Sequence, residues 1–206
     1  MKVLDLFAGL KGWSAAFANR GHEVVTVEIN PDFNPTFVVN IGSIDPDYFA
    51  WFAPDIILAS PPCQRFSVAT IGRNWNHDYT PKTDGAAEAQ GLVQHTLEII
   101  NRLNPPLWVM ENPRAMLRKM PFMAPYPRTT VTYCQYGERT MKPTDLWGKL
   151  PPGFMPRKCK NGMPCHEAAP RGSSTGVQGI KGSANRGKIP YGLSLIVCME
   201  AERSTQ

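Results

Sequence analysis

The sequence predicts an α/β protein in which one sheet, mainly of parallel strands, is covered by helices on both faces. Short apolar runs of strand length alternate along the chain with segments whose apolar residues recur at helical spacing. The run from Asp55 to Ala59 (DIILA) is apolar after its first residue, as strands buried on both faces are. A chain of 206 residues with 42% hydrophobic content is long enough for one such domain with its own core.

The N-terminal part of the sequence is predicted to form strand, helix and strand. The run KVLDLF at 2–7 has strand length and ends at a glycine-bearing turn. In the following segment, GWSAAFANRG, the apolar residues share a helical face, and Gly21 is placed to end the helix. The Val-rich run HEVVTVEIN is the second strand, and a third is expected around Phe37 to Asn40. The apolar run that ends at Ala59 is the fourth.

A long loop and a helix are predicted after the fourth strand. Residues 65–83 are polar and aromatic without a sustained period, and loops of this length are usually functional or disordered. Apolar residues between Ala89 and Leu103 then recur at helical spacing, which predicts a helix. The run PPLWVMEN is the fifth strand, RTTVTYC the sixth, and IPYGLSLIVCMEAE a final helix that packs on the sheet.

Positive charge is concentrated late in the sequence. The formal net charge is +5, and residues 149–188 contain eight basic residues against one acidic residue, so the excess lies in this segment. The stretch from Pro151 to Gly187 is rich in Pro, Gly, Ser and Lys, which predicts an irregular basic insertion. Such a cluster indicates an anionic partner such as nucleic acid, and a merely solubilising surface is the alternative.

The five cysteines form an odd set, and Met1 leads into a strand pattern without a signal sequence, so we expect a reducing cytoplasm. No apolar run approaches the roughly 18 residues that a membrane span needs. Cys159, Cys165 and His166, in CKNGMPCH, are weak zinc-ligand candidates, because their spacing is loose and no fourth ligand is evident. The alternative is that they are ordinary loop residues.

Residue types with functional chemistry stand where four predicted strands end. Gly9, Glu28, Cys63 and Glu111 end or follow the first, second, fourth and fifth strands. The carboxyl ends of parallel strands meet at one edge of a sheet, which is where α/β proteins bind ligands. Gly9 and Gly12 allow backbone N–H groups to approach a ligand closely, and Glu28 can accept hydrogen bonds from ribose hydroxyls. A nucleoside-containing cofactor is therefore favoured over a plain structural turn.

Cys63, in SPPCQRFS, has the surroundings of a nucleophile. The two prolines before it fix the backbone, and Arg65 with nearby N–H groups would stabilise a thiolate. A buried inert cysteine is the alternative, but it explains neither the rigid, polar surroundings nor the position at a strand end. Glu111 is either a helix cap or, if it faces Cys63, a proton donor whose pKa is raised by enclosure.

Four segments, DLFAGLKGWSAAF, VEIN, SPPCQRFS and ENP, resemble in this order and spacing the motifs of the DNA cytosine-5 methyltransferases. The resemblance covers residues 2–147, with a faint further match at 186–196. It implies a Rossmann-like methyltransferase fold with a mixed sheet. It also implies a catalytic and cofactor-binding domain (1–147), a reduced basic insertion that contacts nucleic acid (148–185), and a C-terminal helix that completes the catalytic domain (186–206).

The resemblance further implies a reaction. Cytosine is flipped out of double-stranded DNA, Cys63 attacks carbon 6, Glu111 hydrogen-bonds the ring, and carbon 5 takes a methyl group from S-adenosylmethionine. The implied catalytic residues are Cys63, Gln64, Arg65, Glu111 and Asn112. The implied cofactor-binding residues are Asp5, Phe7, Ala8, Gly9, Leu10, Lys11, Gly12, Glu28, Ile29, Ser43, Ile44, Asp45, Pro61 and Lys188. The implied substrate-binding residues are Ser67, Arg139, Lys142 and Thr144.

The sequence departs from the family pattern at several places. Lys11 stands where glycine is usual. Ser43 stands where an acidic residue is usual, so that Asp45 becomes the alternative adenine contact. Lys142 and Thr144 replace an arginine pair, which leaves the contact to the cytosine carbonyl oxygen open. The short basic insertion replaces a large target-recognition domain, so we expect a short or relaxed recognition site, as in phage-like members.

Two lysines, Lys11 and Lys188, border the implied cofactor where the family has neutral residues. A carboxy-S-adenosylmethionine donor, which transfers a carboxymethyl group, is therefore an alternative to the simpler view that both lysines meet phosphates or solvent. A catalytically inactive DNA-binding module and an RNA-directed cytosine methyltransferase are further alternatives. We expect a monomer in the cytoplasm of a bacterium or of a phage-infected host cell, with no membrane partner.

Overall fold

The structure is a computed structural model that describes residues 1–168 and 182–204. Its strands are β1 (Lys2–Leu6), β2 (Glu23–Glu28), β3 (Phe37–Val38), β4 (Ile56–Ala59), β5 (Leu107–Pro113), β6 (Arg128–Thr132) and β7 (Pro143–Lys149). They form one sheet in the order β3-β2-β1-β4-β5-β7-β6. β1 to β5 pair in parallel, and β7 lies antiparallel to both of its neighbours. The predicted α/β class with a mixed sheet is confirmed.

Helices cover both faces of the sheet. The α-helices in the described ranges are α1 (Ser14–Asn19), α2 (Ile71–Asn74), α3 (Asp84–Leu103), α4 (Ser183–Gly187) and α5 (Tyr191–Ser204). Ile57 and Ala59 of β4 join the core under α3, while Ile56 and Leu58 join the core under α1 and α5. This explains the continuous apolar run of β4, because both of its faces are buried. Among the described residues, no helix combines the length and the apolar character that crossing a membrane requires.

The predicted helix at 89–103 is α3, which begins earlier, at Asp84. Thr83 caps its N-terminus, since the Thr83 hydroxyl accepts a hydrogen bond from the N–H of Ala86 at 3.2 Å. The predicted final helix is α5, preceded by the short α4. The predicted basic insertion is described only in part, because residues 169–181 within it lie outside the described ranges, as do residues 205 and 206 of the predicted C-terminal segment.

The segment at 65–83, predicted as a loop, contains a 3-10 turn (Val68–Thr70) and α2, each too short to show a period in sequence. It also carries its own small core. The Trp75 ring stacks on Phe66 at 5.2 Å between centroids, and both side chains are buried. The carbonyl of Arg65 accepts hydrogen bonds from Asn74 Nδ2 (3.1 Å) and Trp75 Nε1 (2.8 Å). The chain after Cys63 is therefore held in place from within this segment.

β7 was not predicted from the sequence, and it separates β5 from β6 in the sheet. Its Gly148 has φ 133°, and a Cβ at that position would lie 2.2 Å from the carbonyl oxygen of Trp108. Only glycine fits there, because both the conformation and the close approach to β5 exclude a side chain. β7 thus packs tightly against the strand that carries Glu111.

The Asp145 carboxylate of β7 is fully buried and depends on Arg118. Arg118 Nε and Nη2 donate to its two oxygens at 2.8 and 2.6 Å, and Thr130 Oγ1 donates at 2.7 Å. We expect Arg118→Met to lower the free energy of unfolding by about 3 kcal/mol, because it leaves a buried carboxylate without its counter-ion. Urea denaturation measures this.

The matched control is Arg102→Met, which breaks the exposed Arg102–Asp47 ion pair. Pairs exposed to solvent contribute at most about 1 kcal/mol, so this variant should stay near the wild type. Equal losses for the two variants would contradict the assigned role of Arg118.

Candidate active site

A cavity of about 400 Å³ opens at the carboxyl ends of β1, β2, β4 and β5. It brings together many residues predicted from the sequence. These are Asp5, Phe7, Ala8, Gly9, Leu10, Gly12, Glu28, Ile29, Pro61, Cys63, Gln64, Glu111, Lys142 and Lys188. The convergence follows from the parallel arrangement, which places these strand ends at one edge of the sheet.

One half of the cavity is built around the carboxylate of Glu28. Its Oε2 accepts a hydrogen bond from the N–H of Gly9 at 3.1 Å, and its Oε1 accepts from Ile29 (2.9 Å) and Asn30 (3.1 Å). Gly9 adopts a positive φ of 45°, which lets its N–H point across to β2. The side chain is therefore oriented before any ligand arrives, and it presents acceptor oxygens at the cavity.

Asp5 contributes a buried carboxyl group to the same half of the cavity. It is only 1% exposed, and burial raises its pKa to about 7. Ser14 lies close enough to lower this pKa, but Oδ2 has no hydrogen-bond partner with good geometry among the residues that the structure describes. A buried acceptor without a partner costs free energy, so Asp5 is suited to a ligand that donates a hydrogen bond.

Gly12, in the turn after β1, packs against the segment that precedes α5. A Cβ at Gly12 would lie 2.7 Å from the backbone nitrogen of Ile189, so only glycine allows this approach. The contact places residues 187–189 in the wall of the cavity. Phe7, in the same turn, has a positive φ of 61°, which is rare for a residue with a side chain. Such strain is typical of functional sites.

The other half of the cavity contains Cys63. Pro61 and Pro62 precede it, and Asn112 Nδ2 donates to the carbonyl of Pro61 at 3.0 Å, which ties the end of β4 to β5. The Cys63 thiol is half-buried, and its pKa is raised by burial and, to a lesser extent, by Glu111. Lys142 lowers the same pKa. The Cys63 thiolate therefore depends on a nearby cation.

Glu111 is held by Tyr133 and Lys142. The Tyr133 hydroxyl donates to Glu111 Oε1 at 2.7 Å, and Lys142 Nζ lies 3.9 Å from the same oxygen. Lys142 Nζ also lies over the Tyr133 ring, 4.4 Å from its centroid. Burial raises the pKa of Glu111, and Lys142 and the Tyr133 hydrogen bond lower it. The buried carboxyl can therefore keep a proton above its ordinary range.

Several predicted residues do not line the cavity. Arg65 is exposed and lies against Gly85, and Ser67 Oγ is 3.1 Å from Thr70 Oγ1. Arg139 forms an ion pair with Glu167. Thr144 is buried and donates to the carbonyl of Lys142 at 3.1 Å.

Three further residues that were predicted to bind the cofactor also do not line the cavity. The Ser43 hydroxyl donates to the Asn40 carbonyl, Ile44 is part of the core under α3, and Asp45 accepts a hydrogen bond from the N–H of Asp47. From the chain between β2 and Ser43, the residues that line the cavity include Phe33, Val39, Asn40 and Ile41. Among these, Asn40 offers a polar side chain near the cavity edge.

Tyr133 is a residue of the site that was not predicted from the sequence. The signal available was its place at the end of the predicted strand RTTVTYC, next to a cysteine. Its partner Glu111 lies 22 residues earlier in the chain. Glu111 belongs to β5 and Tyr133 directly follows β6, and β7 lies between these two strands in the sheet, so the contact depends on the strand order. Tyr133 is buried, so its hydroxyl needs the hydrogen bond that Glu111 accepts.

Comparisons with known proteins bear on the function. A family model for the C-5 cytosine-specific DNA methylases matches residues 1–121. A probable DNA (cytosine-5)-methyltransferase of Frog virus 3 (isolate Goorha) is 31% identical over 205 residues, covering 90% of this chain and 92% of that protein. The type II methyltransferase M.AplI of Arthrospira platensis is 30% identical over 125 residues, 57% of this chain and 32% of that protein.

Solved structures show the same fold. The Entamoeba histolytica methyltransferase EhMeth is similar with a TM-score of 0.56 and 14% identity, over 78% of this chain and 57% of that one. A Spodoptera frugiperda DNMT2 mutant is similar with a TM-score of 0.50 and 19% identity, over 78% of this chain and 53% of that one. The chain thus spans just over half of these structures, and the predicted methyltransferase fold is confirmed. Since the family model matches more than half of the chain and the viral relative nearly all of it, the chain belongs to the C-5 cytosine-specific DNA methylase family.

Proposed function

We propose that this protein transfers the methyl group of S-adenosylmethionine to carbon 5 of cytosine in double-stranded DNA, through a covalent bond between Cys63 Sγ and carbon 6. The observation that carries the proposal is that Cys63 and Glu111 line the same cavity as Gly9 and Glu28. One cavity therefore combines a nucleophile, a proton donor and a nucleoside-binding edge. The name of the viral relative, a probable DNA (cytosine-5)-methyltransferase, supports DNA as the substrate.

The residues at the carboxyl ends of β1 and β2 fit S-adenosylmethionine, which supplies an activated methyl group when bound. Asp5 Oδ2, the buried acceptor without a partner among the described residues, would accept a hydrogen bond from an ammonium group. Beyond its three backbone hydrogen bonds, Glu28 has about one acceptor site left, on Oε2, and this site suits a ribose hydroxyl. Phe7 lines the same cavity, and its ring would stack on the adenine.

Cys63 and Glu111 divide the chemistry on the base. The Cys63 thiolate forms a bond to carbon 6, and the electron pair of the C5–C6 double bond shifts into the ring. Protonated Glu111 hydrogen-bonds N3 and offsets the negative charge that builds up there. Carbon 5 thereby becomes nucleophilic and would take the methyl group, while the electron pair of the broken sulfur–methyl bond would stay on the donor sulfur, which leaves as a thioether. Loss of the carbon-5 proton to solvent restores the C5–C6 double bond, while the S–C6 bond breaks and Cys63 leaves as a thiolate.

Lys142 influences the pH range in which Cys63 is a thiolate while Glu111 is still protonated. Cys63 must lose its proton and Glu111 must keep its proton, and Lys142 lowers the pKa of both groups. In Lys142→Met both pKa values rise, so the thiolate forms only at higher pH and protonated Glu111 persists to higher pH. We expect the whole bell-shaped profile of kcat/KM to move to higher pH.

The control for this prediction is Lys119→Met, which removes an exposed lysine outside the cavity. Its pH optimum should equal that of the wild type. An optimum that stays in place or moves down in Lys142→Met would show that Lys142 does not act on Cys63 and Glu111.

A labelled-methyl transfer assay tests the proposed substrate. We expect label in duplex DNA, recovered as 5-methylcytosine, and none above background with Cys63→Ala. Preferential labelling of transfer RNA would assign the RNA-directed alternative instead. Binding of duplex DNA without label in any nucleic acid would assign the inactive DNA-binding module.

A carboxymethyl donor is a second candidate, because Lys188 lines the cavity. Lys11 does not line it, and its Nζ donates to the carbonyl of Asn34 at 2.7 Å. Only Lys188 of the two is therefore placed to pair with an extra donor carboxylate. Mass spectrometry of the nucleosides formed with each donor tests this. Carboxymethylcytosine that is lost in Lys188→Asn and kept in Lys11→Asn would support the candidate, and 5-methylcytosine alone would exclude it.

A further inference from the structure

Four potential metal ligands lie together where the basic insertion meets the sheet. Cys134 belongs to the 3-10 segment Tyr133–Tyr136 that follows β6, and Cys159, Cys165 and His166 belong to the insertion. The sulfur and nitrogen atoms of the four side chains all lie within 4.8 Å of one another. The three candidates seen in the sequence thus gain a fourth from a distant part of the chain.

The distances fit a tetrahedral zinc centre. Zn–S bonds of about 2.3 Å and Zn–N bonds of about 2.0 to 2.1 Å place two ligand sulfurs about 3.8 Å apart, and a sulfur and a nitrogen about 3.6 Å apart. Cys134 Sγ lies 3.8 Å from Cys165 Sγ and 3.1 Å from Cys159 Sγ. His166 Nδ1 lies 3.6 Å from the sulfurs of both Cys159 and Cys165. Three of these four distances match the tetrahedral values, and one is shorter.

The segment that carries three of these side chains has little else to fold around. From Met155 to Ala168 every residue is exposed except Cys159 and His166, which are half-buried. The same range contains neither helix nor strand. A segment that buries so little apolar surface typically needs a metal or a disulfide to hold one conformation.

We propose that Cys134, Cys159, Cys165 and His166 bind one structural zinc ion. Four protein ligands leave no open coordination position, which distinguishes a structural site from a catalytic one. Three thiolates around a divalent cation leave a negative charge, which the basic residues beside Cys159 offset. These residues are Arg157, Lys158 and Lys160.

The zinc ion ties the insertion to the active site. Cys134 directly follows Tyr133, whose hydroxyl holds Glu111. The same two segments also share backbone contacts, because Thr132 N donates to the Arg157 carbonyl at 3.1 Å and Cys159 N donates to Thr132 Oγ1 at 2.8 Å. The ion therefore fixes the start of the basic insertion beside the residue that orients Glu111.

A disulfide is the competing arrangement, and it accounts for fewer of the observations. A bond between two sulfurs has a length of about 2.05 Å, and it would join only Cys134 and Cys159, the closest pair. A disulfide does not explain why the side chains of Cys165 and His166 also lie close to these two sulfurs. The two arrangements differ in zinc content and in the response to reductant, which makes them separable.

Zinc content of the full chain tests the proposal. The protein is purified without a polyhistidine tag, in reducing buffer free of chelator, and zinc is measured by inductively coupled plasma mass spectrometry. We expect about one zinc per chain in the wild type and in the matched control Cys63→Ser, as a four-ligand site holds one ion. Cys134→Ser and Cys159→Ser should lose most of it.

Two measurements on the wild type cover the case in which the ligand variants do not fold. Cobalt in place of zinc should give the visible bands of a tetrahedral thiolate centre. Removal of zinc by a chelator should speed tryptic cleavage after Lys158 and Lys160. A wild type free of zinc that gives no such bands would overturn the proposal. Zinc retained in Cys134→Ser but lost in Cys198→Ser would also overturn it, since the metal would then belong to His22, Cys198 and Glu202.

Discussion

Cys63→Ala is expected to abolish methyl transfer while leaving the binding of DNA and S-adenosylmethionine in place. In the proposed mechanism the variant lacks the nucleophile that bonds to carbon 6, so carbon 5 would not be activated. Loss of a nucleophile costs on the order of 10⁴ to 10⁶ in kcat in enzymes that act through covalent intermediates, and we expect a loss in that range. Single-turnover incorporation of labelled methyl groups measures it, and circular dichroism checks the fold.

Trapping of the covalent intermediate distinguishes a nucleophile from a residue that only shapes the cavity. Duplex DNA with 5-fluorocytosine at the target retains the S–C6 bond, because fluorine cannot leave as the proton does. We expect a complex that survives denaturation, with the Cys63 peptide attached. The control Cys198→Ala, altered at a buried cysteine of α5, should still form it. Attachment to a different cysteine, or no attachment in the presence of the donor, would contradict the mechanism.

Glu111→Gln is expected to lower kcat by about 10² to 10⁴, the range typical of a lost general acid. In the proposed mechanism glutamine would keep the size of the side chain and one hydrogen bond to the ring, but it has no acidic proton to share with N3 as carbon 6 is attacked. The affinity for DNA should change little, because the substitution conserves the size of a side chain that is buried and is not part of the exposed surface. Rapid-quench kinetics with a fixed duplex measures kcat for the chemical step.

Tyr133→Phe provides the matched comparison for Glu111. It keeps the carboxyl group and removes only the 2.7 Å hydrogen bond that orients it. We expect a smaller loss in kcat, about tenfold, because a single hydrogen bond contributes about 1 kcal/mol. The limb of the pH profile that reports Glu111 should also move to higher pH, since this hydrogen bond lowers the pKa of Glu111. Full activity of Glu111→Gln would assign activation of the ring to another group.

Many residues that line the cavity could be predicted from the sequence, because the prediction did not require the order of the strands in the sheet. Gly9, Glu28, Cys63 and Glu111 each end or follow a run of apolar residues, and parallel strands bring such positions to one edge. The residues predicted from the family motifs that lie elsewhere, such as Ser43 and Asp45, belong to a short connecting segment. Connections of that kind carry no periodic signal, so their course depends on contacts that only the folded chain shows.

The parts that the sequence did not reveal depend on distant partners. The β7 sequence PTDLWGK contains Pro, Asp and Gly, which are depleted in strands, and its Asp145 can be buried only because Arg118, 27 residues earlier, pairs with it. Cys134 lies 25 residues from Cys159, far outside the spacing by which metal motifs are recognised. Periodicity and short motifs report local structure, and these contacts are not local.

Because residues 187–189 form part of the cavity wall, the cavity can be completed only late in protein synthesis. Ile189 packs against Gly12 so closely that no side chain fits between them, and Lys188 lines the same cavity. These residues leave the ribosome after every other residue of the wall. A nascent chain that has already formed β1 to β5 would therefore still lack a closed cofactor site, and it would begin to modify its target only after translation has passed this point.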